Sequence, residues 1–258
     1  MSIGWVTFLL GACSSYSSQT AKIRSLYQAR NYDKALEDLE DSFLKSDSKN
    51  RLLYQLEKAT ILDRMGRQKK SRSLFLAASR TSDKLYTRSL TSEAASFLVN
   101  DEVTPYAGED YEKVGIHTML GLSFLEEKKF KKARVEARQI NTKLAEITNR
   151  YDEDTWYRED PFARYLSGLI YEKTGELDDA IIDYMKAIEA YQRLTPKPNA
   201  NNITSRAVPT PRALVLATQK ILKRRQRTSE LKKLRSLVPN LMSANSSETD
   251  RSAGEIIV

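Results

Sequence analysis

Apolar residues along most of this chain recur three or four positions apart, the spacing of one face of an α-helix. The pattern is most regular from Pro161 to Leu194. There Gly168 is followed by Tyr171, Gly175, Ala180, Tyr184 and Ala187 at helical offsets. Upstream, the same template finds Leu120, Gly121, Phe124 and Ala133, with Lys128, Ala137 and Ile140 standing for the turn glycine, the aromatic and the last alanine. It fits again from Leu52, with Ala59, Leu62, Gly66, Phe75 and Ala78 in place and Ser71 for Ala180. A weaker fit over 16–45 keeps Leu26, Tyr32, Ala35 and Leu39 but has Arg30 at the turn.

These offsets resemble the tetratricopeptide repeat, a helix–turn–helix unit of about 34 residues, over roughly 16–194. The resemblance implies an all-α tetratricopeptide-repeat helical solenoid. Gly168 and Ala180 would mark a close helix crossing, Gly175 the turn, and Tyr171, Tyr184 and Ala187 the filling between repeats. The equivalent packing residues are Ala59, Gly66, Phe75 and Ala78 in one repeat and Gly121, Phe124 and Ala133 in another. Insertions near 86–113 and 148–160 interrupt the period, the first opening with an expected helix over 85–99. Both would emerge on one edge of the stack.

In such proteins the first helix of each repeat lines the concave face. By position that implies a partner-binding set of Leu53, Leu56, Thr60 and Asp63, then Thr118, Leu122 and Leu125, then Phe162, Tyr165, Leu169 and Glu172. The set is apolar with few charges, which suits a helix or an extended peptide. His117 lies on the first helix of its repeat and is expected to be packed there or at its rim.

The chain opens on an apolar run that is too short to span a membrane and is shaped like a secretory leader. Leu10-Gly11-Ala12-Cys13 resembles the lipobox of bacterial lipoproteins, which implies a signal peptide over 1–12, acylation of Cys13 and a tether over 13–20. No Lys or Arg precedes Cys13, unlike the positive start of such leaders, which suggests a start codon placed too far downstream. The segments 104–109, 132–138 and 159–168 resemble a family of bacterial tetratricopeptide lipoproteins of the envelope. That resemblance, with the lipobox, implies a lipid-anchored envelope protein facing the periplasm, and Ser14 rather than Asp after the cysteine resembles outer-membrane sorting in enterobacteria. It leaves the activity open.

Charge changes the picture at one end. The chain has 42 Lys and Arg against 34 Asp and Glu. Between Arg212 and Arg235 stand nine basic residues and one acid, Glu230, so the rest of the chain is balanced. After a proline-rich linker over 195–211, one basic capping helix is expected over 212–238, followed by a disordered polar tail over 239–258. Aromatic residues to stack bases are missing from the basic helix, so nucleic acid is not an expected partner.

One His and one Cys exclude a His/Cys metal cluster and a disulfide framework, and no metal site or cofactor is expected. The insertions hold acids, Asp101, Glu102, Glu109, Asp110 and Glu112 in the first and Asp152, Glu153, Asp154, Glu159 and Asp160 in the second. They lack calcium-loop spacing and a defined acid/base pair, so they read as a solvated edge and no catalytic residue is assigned. Tyr106, Tyr111, Tyr151, Trp156 and Tyr157 interleave with them as an interaction surface would require. The resulting expectation is a non-enzymatic adaptor or assembly factor for a protein or peptide. The rival is a soluble cytoplasmic scaffold whose basic end binds an acidic partner or nucleic acid; a hydrolase using the acidic edge is a distant third.

Overall fold

The computed structural model describes residues 12–92, 105–151, 158–194 and 209–240. Its helices are α1 (Ala12–Gln28), α2 (Tyr32–Glu40), α3 (Phe43–Ser46), α4 (Arg51–Arg64), α5 (Gln68–Ser92), α6 (Asp110–Glu126), α7 (Phe130–Arg150), α8 (Pro161–Thr174), α9 (Leu177–Leu194), α10 (Arg212–Arg224) and α11 (Thr228–Leu237), with a 3-10 turn at Ser48–Asn50. No strand occurs among the described residues. The chain forms two compact units that divide between Glu109 and Asp110.

One turn builds five helical hairpins among these residues. Arg30, Gly66, Lys128, Gly175 and Gln226 each adopt a left-handed backbone, with φ between 55° and 85°. Around each, the amide of the next residue donates to the carbonyl five positions back: Asn31 to Leu26, Arg67 to Leu62, Lys129 to Phe124, Glu176 to Tyr171 and Arg227 to Leu222. This closure satisfies carbonyls that the end of a helix leaves unpaired. Leu62, Phe124, Tyr171 and Leu222 are buried, and half-buried Leu26 packs against the core of its unit, so each turn is anchored in or against a core.

In the first unit the hairpins α1–α2 and α4–α5 pack through α2 on α4. Ile23, Ala35, Leu39, Leu44 and Ile61 form their shared core. Glu40, at the end of α2, accepts hydrogen bonds from Lys58, from Lys45 at 2.9 Å and from the Tyr54 hydroxyl at 3.0 Å. Partial burial pushes its carboxyl up, but these donors outweigh that and hold it at about 2.

The second unit holds α6–α7, α8–α9 and α10–α11; α8 packs on both α6 and α7, and α9 on both α10 and α11. Asp160 caps α8 by accepting from the Ala163 amide at 2.9 Å, with Pro161 at the first helical position. Gly168 lies against the ring of Tyr184 on α9. A Cβ there would stand 2.6 Å from Tyr184 Cε1 and closer still to Cδ1. Ala180 and Ala187 on the facing helix are fully buried.

Several expected boundaries move. The helix expected from residue 85 continues α5, because no Gly or Pro interrupts Gln68–Ser92. Residues 110–113 are helical, not loop, since Asp110 and Glu112 favour the positive end of α6. Residues 148–150 belong to α7 and 13–20 to α1. The basic segment 212–238 is a hairpin rather than one helix, because Gln226 takes the left-handed turn. The run 1–11, the segments 93–104, 152–157 and 195–208 and the tail 241–258 lie outside the described residues.

Two glycines should respond with opposite signs. Alanine in place of a helical glycine gains about 1 kcal/mol, but overpacking a tight core costs about 1–3 kcal/mol. Gly168→Ala should therefore lower the melting temperature. Gly115→Ala on α6, where a Cβ meets nothing within 4 Å, should raise it. Equal shifts in thermal melts would remove the close crossing from the account. Glu40→Gln should lower stability by about 1 kcal/mol or less at neutral pH, since the site is partly exposed. Its folded pKa is depressed, so the wild-type advantage is complete above about pH 4.5 and disappears as pH falls toward 2. An advantage unchanged from pH 7 to 3 in denaturant titrations would contradict this origin.

Candidate partner-binding face

The five turns set a common register for the first helices. On α4, Leu53, Leu56, Thr60 and Asp63 are all half-buried; Leu53 packs on the core of the first unit, and the Thr60 hydroxyl donates to the Leu56 carbonyl. In the second unit, register aligns Thr118, Leu122 and Leu125 on α6 with Tyr165, Leu169 and Glu172 on α8. Thr118, Leu125 and Tyr165 are buried. Leu122 and Leu169 are half-buried and Phe162 is 43% exposed. The accessible apolar row therefore narrows to Leu122, Phe162 and Leu169.

The same register carries onto α10, which sequence reading treated as a cap. Leu216 aligns with Tyr165, Lys220 with Leu169 and Lys223 with Glu172. Leu216 is half-buried, and both lysines are exposed. The detectable signal was Leu222 four positions before Gln226, as Tyr171 stands before Gly175.

Glu172 is committed to the fold. It accepts from the Tyr184 hydroxyl at 2.6 Å, and burial together with this carboxylate pushes the phenol far above its ordinary range. The Tyr165 and Tyr184 rings lie 5.9 Å apart at 55°, and burial raises the Tyr165 phenol as well.

Behind this face lies a buried polar cluster. Arg164 of α8 forks onto Glu159 through Nε at 2.7 Å and Nη2 at 2.9 Å, and its Nη1 reaches Asp183 of α9 at 3.0 Å and Asn141 of α7. Asp183 also accepts from Asn141 at 2.8 Å and from the Ser167 hydroxyl at 2.5 Å. Burial disfavours the guanidinium charge, but Glu159 and Asp183 overcome it and hold Arg164 firmly protonated. One cation thus faces two carboxylates, and neutral donors satisfy the second charge. His117 on α6 is buried and meets Glu136 of α7 at 2.8 Å, a packed position.

The acidic edge is not uniformly solvated. Asp110 accepts from Lys113 at 3.0 Å, from Arg150 at 2.8 Å and from the Tyr151 hydroxyl at 3.0 Å, closing the open end of α6–α7. Burial raises its carboxyl, but Lys113, Tyr151 and Arg150 together hold it below its ordinary range. Glu159 and Asp160 are the Arg164 partner and the α8 cap described above. The basic end is similarly engaged. Arg225 and Arg227 reach Asp178 of α9 at 2.8 and 2.9 Å, and Lys233 reaches Glu189 at 2.6 Å. Half-buried Tyr106 donates its amide to the Lys49 carbonyl at 3.0 Å. Trp156 and Tyr157, and the side chain of Cys13, lie outside the described residues.

Among the described residues, no group of His, Cys, Asp and Glu is placed to hold a metal ion. No helix there is long and apolar enough to cross a membrane.

Residues 163–193 match the tetratricopeptide repeat family. No curated protein matches the sequence. Among solved structures, the chain is similar to the nearly identical TPR-like repeats of a Podosopora anserina kinesin light chain-type protein, with TM-score 0.53 and 14% identity over 93% of this chain and 100% of that one. It is also similar to a double mutant of MamA RS-1, with TM-score 0.51 and 12% identity over 90% of this chain and 97% of that one. At these identities the likeness is one of fold. The fold is an all-α helical repeat array of the tetratricopeptide type, an architecture of protein–protein interaction scaffolds.

Proposed function

We propose that the protein is a non-enzymatic adaptor or assembly factor, lipid-anchored at Cys13 on the bacterial envelope, that holds a segment of another protein against the first helices of its second unit. The observation that carries the binding reading is the apolar row of Leu122 on α6 and Phe162 and Leu169 on α8, accessible on a pair of helices of which α8 is tied to α7 and α9 by the Arg164 cluster. An apolar helix or extended peptide suits such a row. Leu10-Gly11-Ala12-Cys13 supports the anchor and the envelope address, and Ser14 after the cysteine supports the outer membrane, facing the periplasm.

The cytoplasmic rival rests on free basic charge at the chain end. Arg225, Arg227 and Lys233 are engaged with α9, which favours the adaptor reading without removing the other cations.

Replacing Cys13 with Ala should release the protein from the membrane fraction and leave its amino-terminal peptide unacylated by intact mass. Sedimentation of the variant with carbonate-washed membranes would sink the anchor. A photo-crosslinking residue at Leu169 should give discrete protein adducts in the native host, whereas one at Ile182, 53% exposed on α9, should not. Leu122→Lys should weaken the Leu169 adducts while leaving the melting temperature within a few degrees. Equal adducts from both sites would assign binding elsewhere.

A further inference from the structure

The first unit contains a cleft of about 450 Å³ between the start of α4 and the second half of α5. Its walls carry Lys49 and Arg51 on one side and Arg80 and Lys84 on the other, with no carboxylate among the described lining residues. Leu52, Leu85 and Pro105 supply apolar surface. Buried Gln55 accepts from the Thr81 hydroxyl at 3.0 Å, bridging the walls.

On α5, Arg80 and Lys84 stand four residues apart, where like charges repel, and both line the cleft. Across from them, α4 continues without a break from the 3-10 turn at Ser48–Asn50, whose start Asp47 caps by accepting from the Lys49 amide at 2.9 Å. Arg51, at the junction of turn and helix, adds its charge to the same cleft. A bound anion would relieve the repulsion among these cations.

We propose that this cleft binds a multivalent phosphate group. Arg51, Arg80 and Lys84 bring three cations to one small cleft, more than a single carboxylate balances. Guanidinium groups such as those of Arg51 and Arg80 match phosphate oxygens in paired hydrogen bonds. The volume falls within the range of small-ligand sites, about 300–1,000 Å³. The source is either a free oligophosphate or phosphorylated metabolite, or the head group of an anionic phospholipid; the recognised chemistry is the same. The site is separate from the partner-binding face and stands without it.

The test uses the full chain with two kinds of probe, sodium tripolyphosphate in calorimetric titration and vesicles of phosphatidylcholine with or without phosphatidylglycerol in co-sedimentation. The double variant Arg51→Gln/Arg80→Gln should weaken binding about tenfold or more. A second pair, Arg80→Gln/Lys84→Gln, should do the same if the first disturbs folding, which melting curves will show. Removing equal charge at Lys220→Gln/Lys223→Gln should change affinity less than about threefold, as expected of nonspecific attraction alone. Binding of tripolyphosphate only assigns a soluble ligand, and selective binding of phosphatidylglycerol vesicles only assigns a head group. Binding of neither probe, an equal loss in the Lys220/Lys223 control, or equal affinity for polyglutamate would overturn the proposal, the last by assigning the cleft to an acidic polypeptide.

Discussion

Every hairpin among the described residues depends on one residue in a left-handed turn. The conformation costs little at Gly66 and Gly175. It costs about 1–2 kcal/mol at a residue with a Cβ, yet Arg30, Lys128 and Gln226 adopt it as well. What offsets the strain is local and repeated: two amides close onto helix-end carbonyls, while the residue four positions before the turn is held in the core or against it. The turn then sets where the second helix starts. In α8–α9 it brings Tyr184 onto Gly168, and the depth of that crossing determines which side chains of α8 remain outside.

The crossing also explains why the apolar row is shorter than its pattern. Tyr165 and Glu172 fall at first-helix positions that a partner could use, but the buried Tyr184 ring and hydroxyl claim both. The Arg164 cluster acts in the same direction. A buried ion pair is seldom a net gain over apolar packing, but losing one partner leaves a costly unpaired charge. Glu159, Arg164, Asp183, Asn141 and Ser167 therefore hold α7, α8 and α9 in one arrangement, because any slip would strand a charge. Rigid presentation of Phe162 and Leu169 follows.

Hairpins were legible where small residues, aromatics and turn glycines coincide, as in Gly168, Tyr171, Gly175 and Ala180. The fifth was not, because Gln219 and Leu231 replace the small crossing pair and Gln226 replaces the glycine. Its remaining sequence signal is Leu222 four positions before Gln226, and the turn hydrogen bonding that defines it is something a sequence does not display. The acids of the insertions looked solvated for a related reason. Asp110 finds Arg150 and Tyr151 at the far end of the following helix, and composition alone carries no record of that return. The leader and Cys13 rest on sequence resemblance alone.

Net charge proved a poor guide to where charge acts. The excess of eight sits in the terminal hairpin, yet there three cations meet Asp178 and Glu189 of α9 and serve docking. The remainder is balanced as a sum but not as a surface, because acids and bases that cancel in a count need not meet in space. Lys49, Arg51, Arg80 and Lys84 come from the 3-10 turn, α4 and α5 and face one cleft with no acid among its described lining residues. Consistency between local preference and global fold is the usual condition of a stable sequence, and functional sites are where it lapses. By that criterion the α4–α5 cleft, where Arg80 and Lys84 form a like-charge pair on α5 facing Arg51, departs from the rule more than the basic terminal hairpin, whose charges are partly answered by α9.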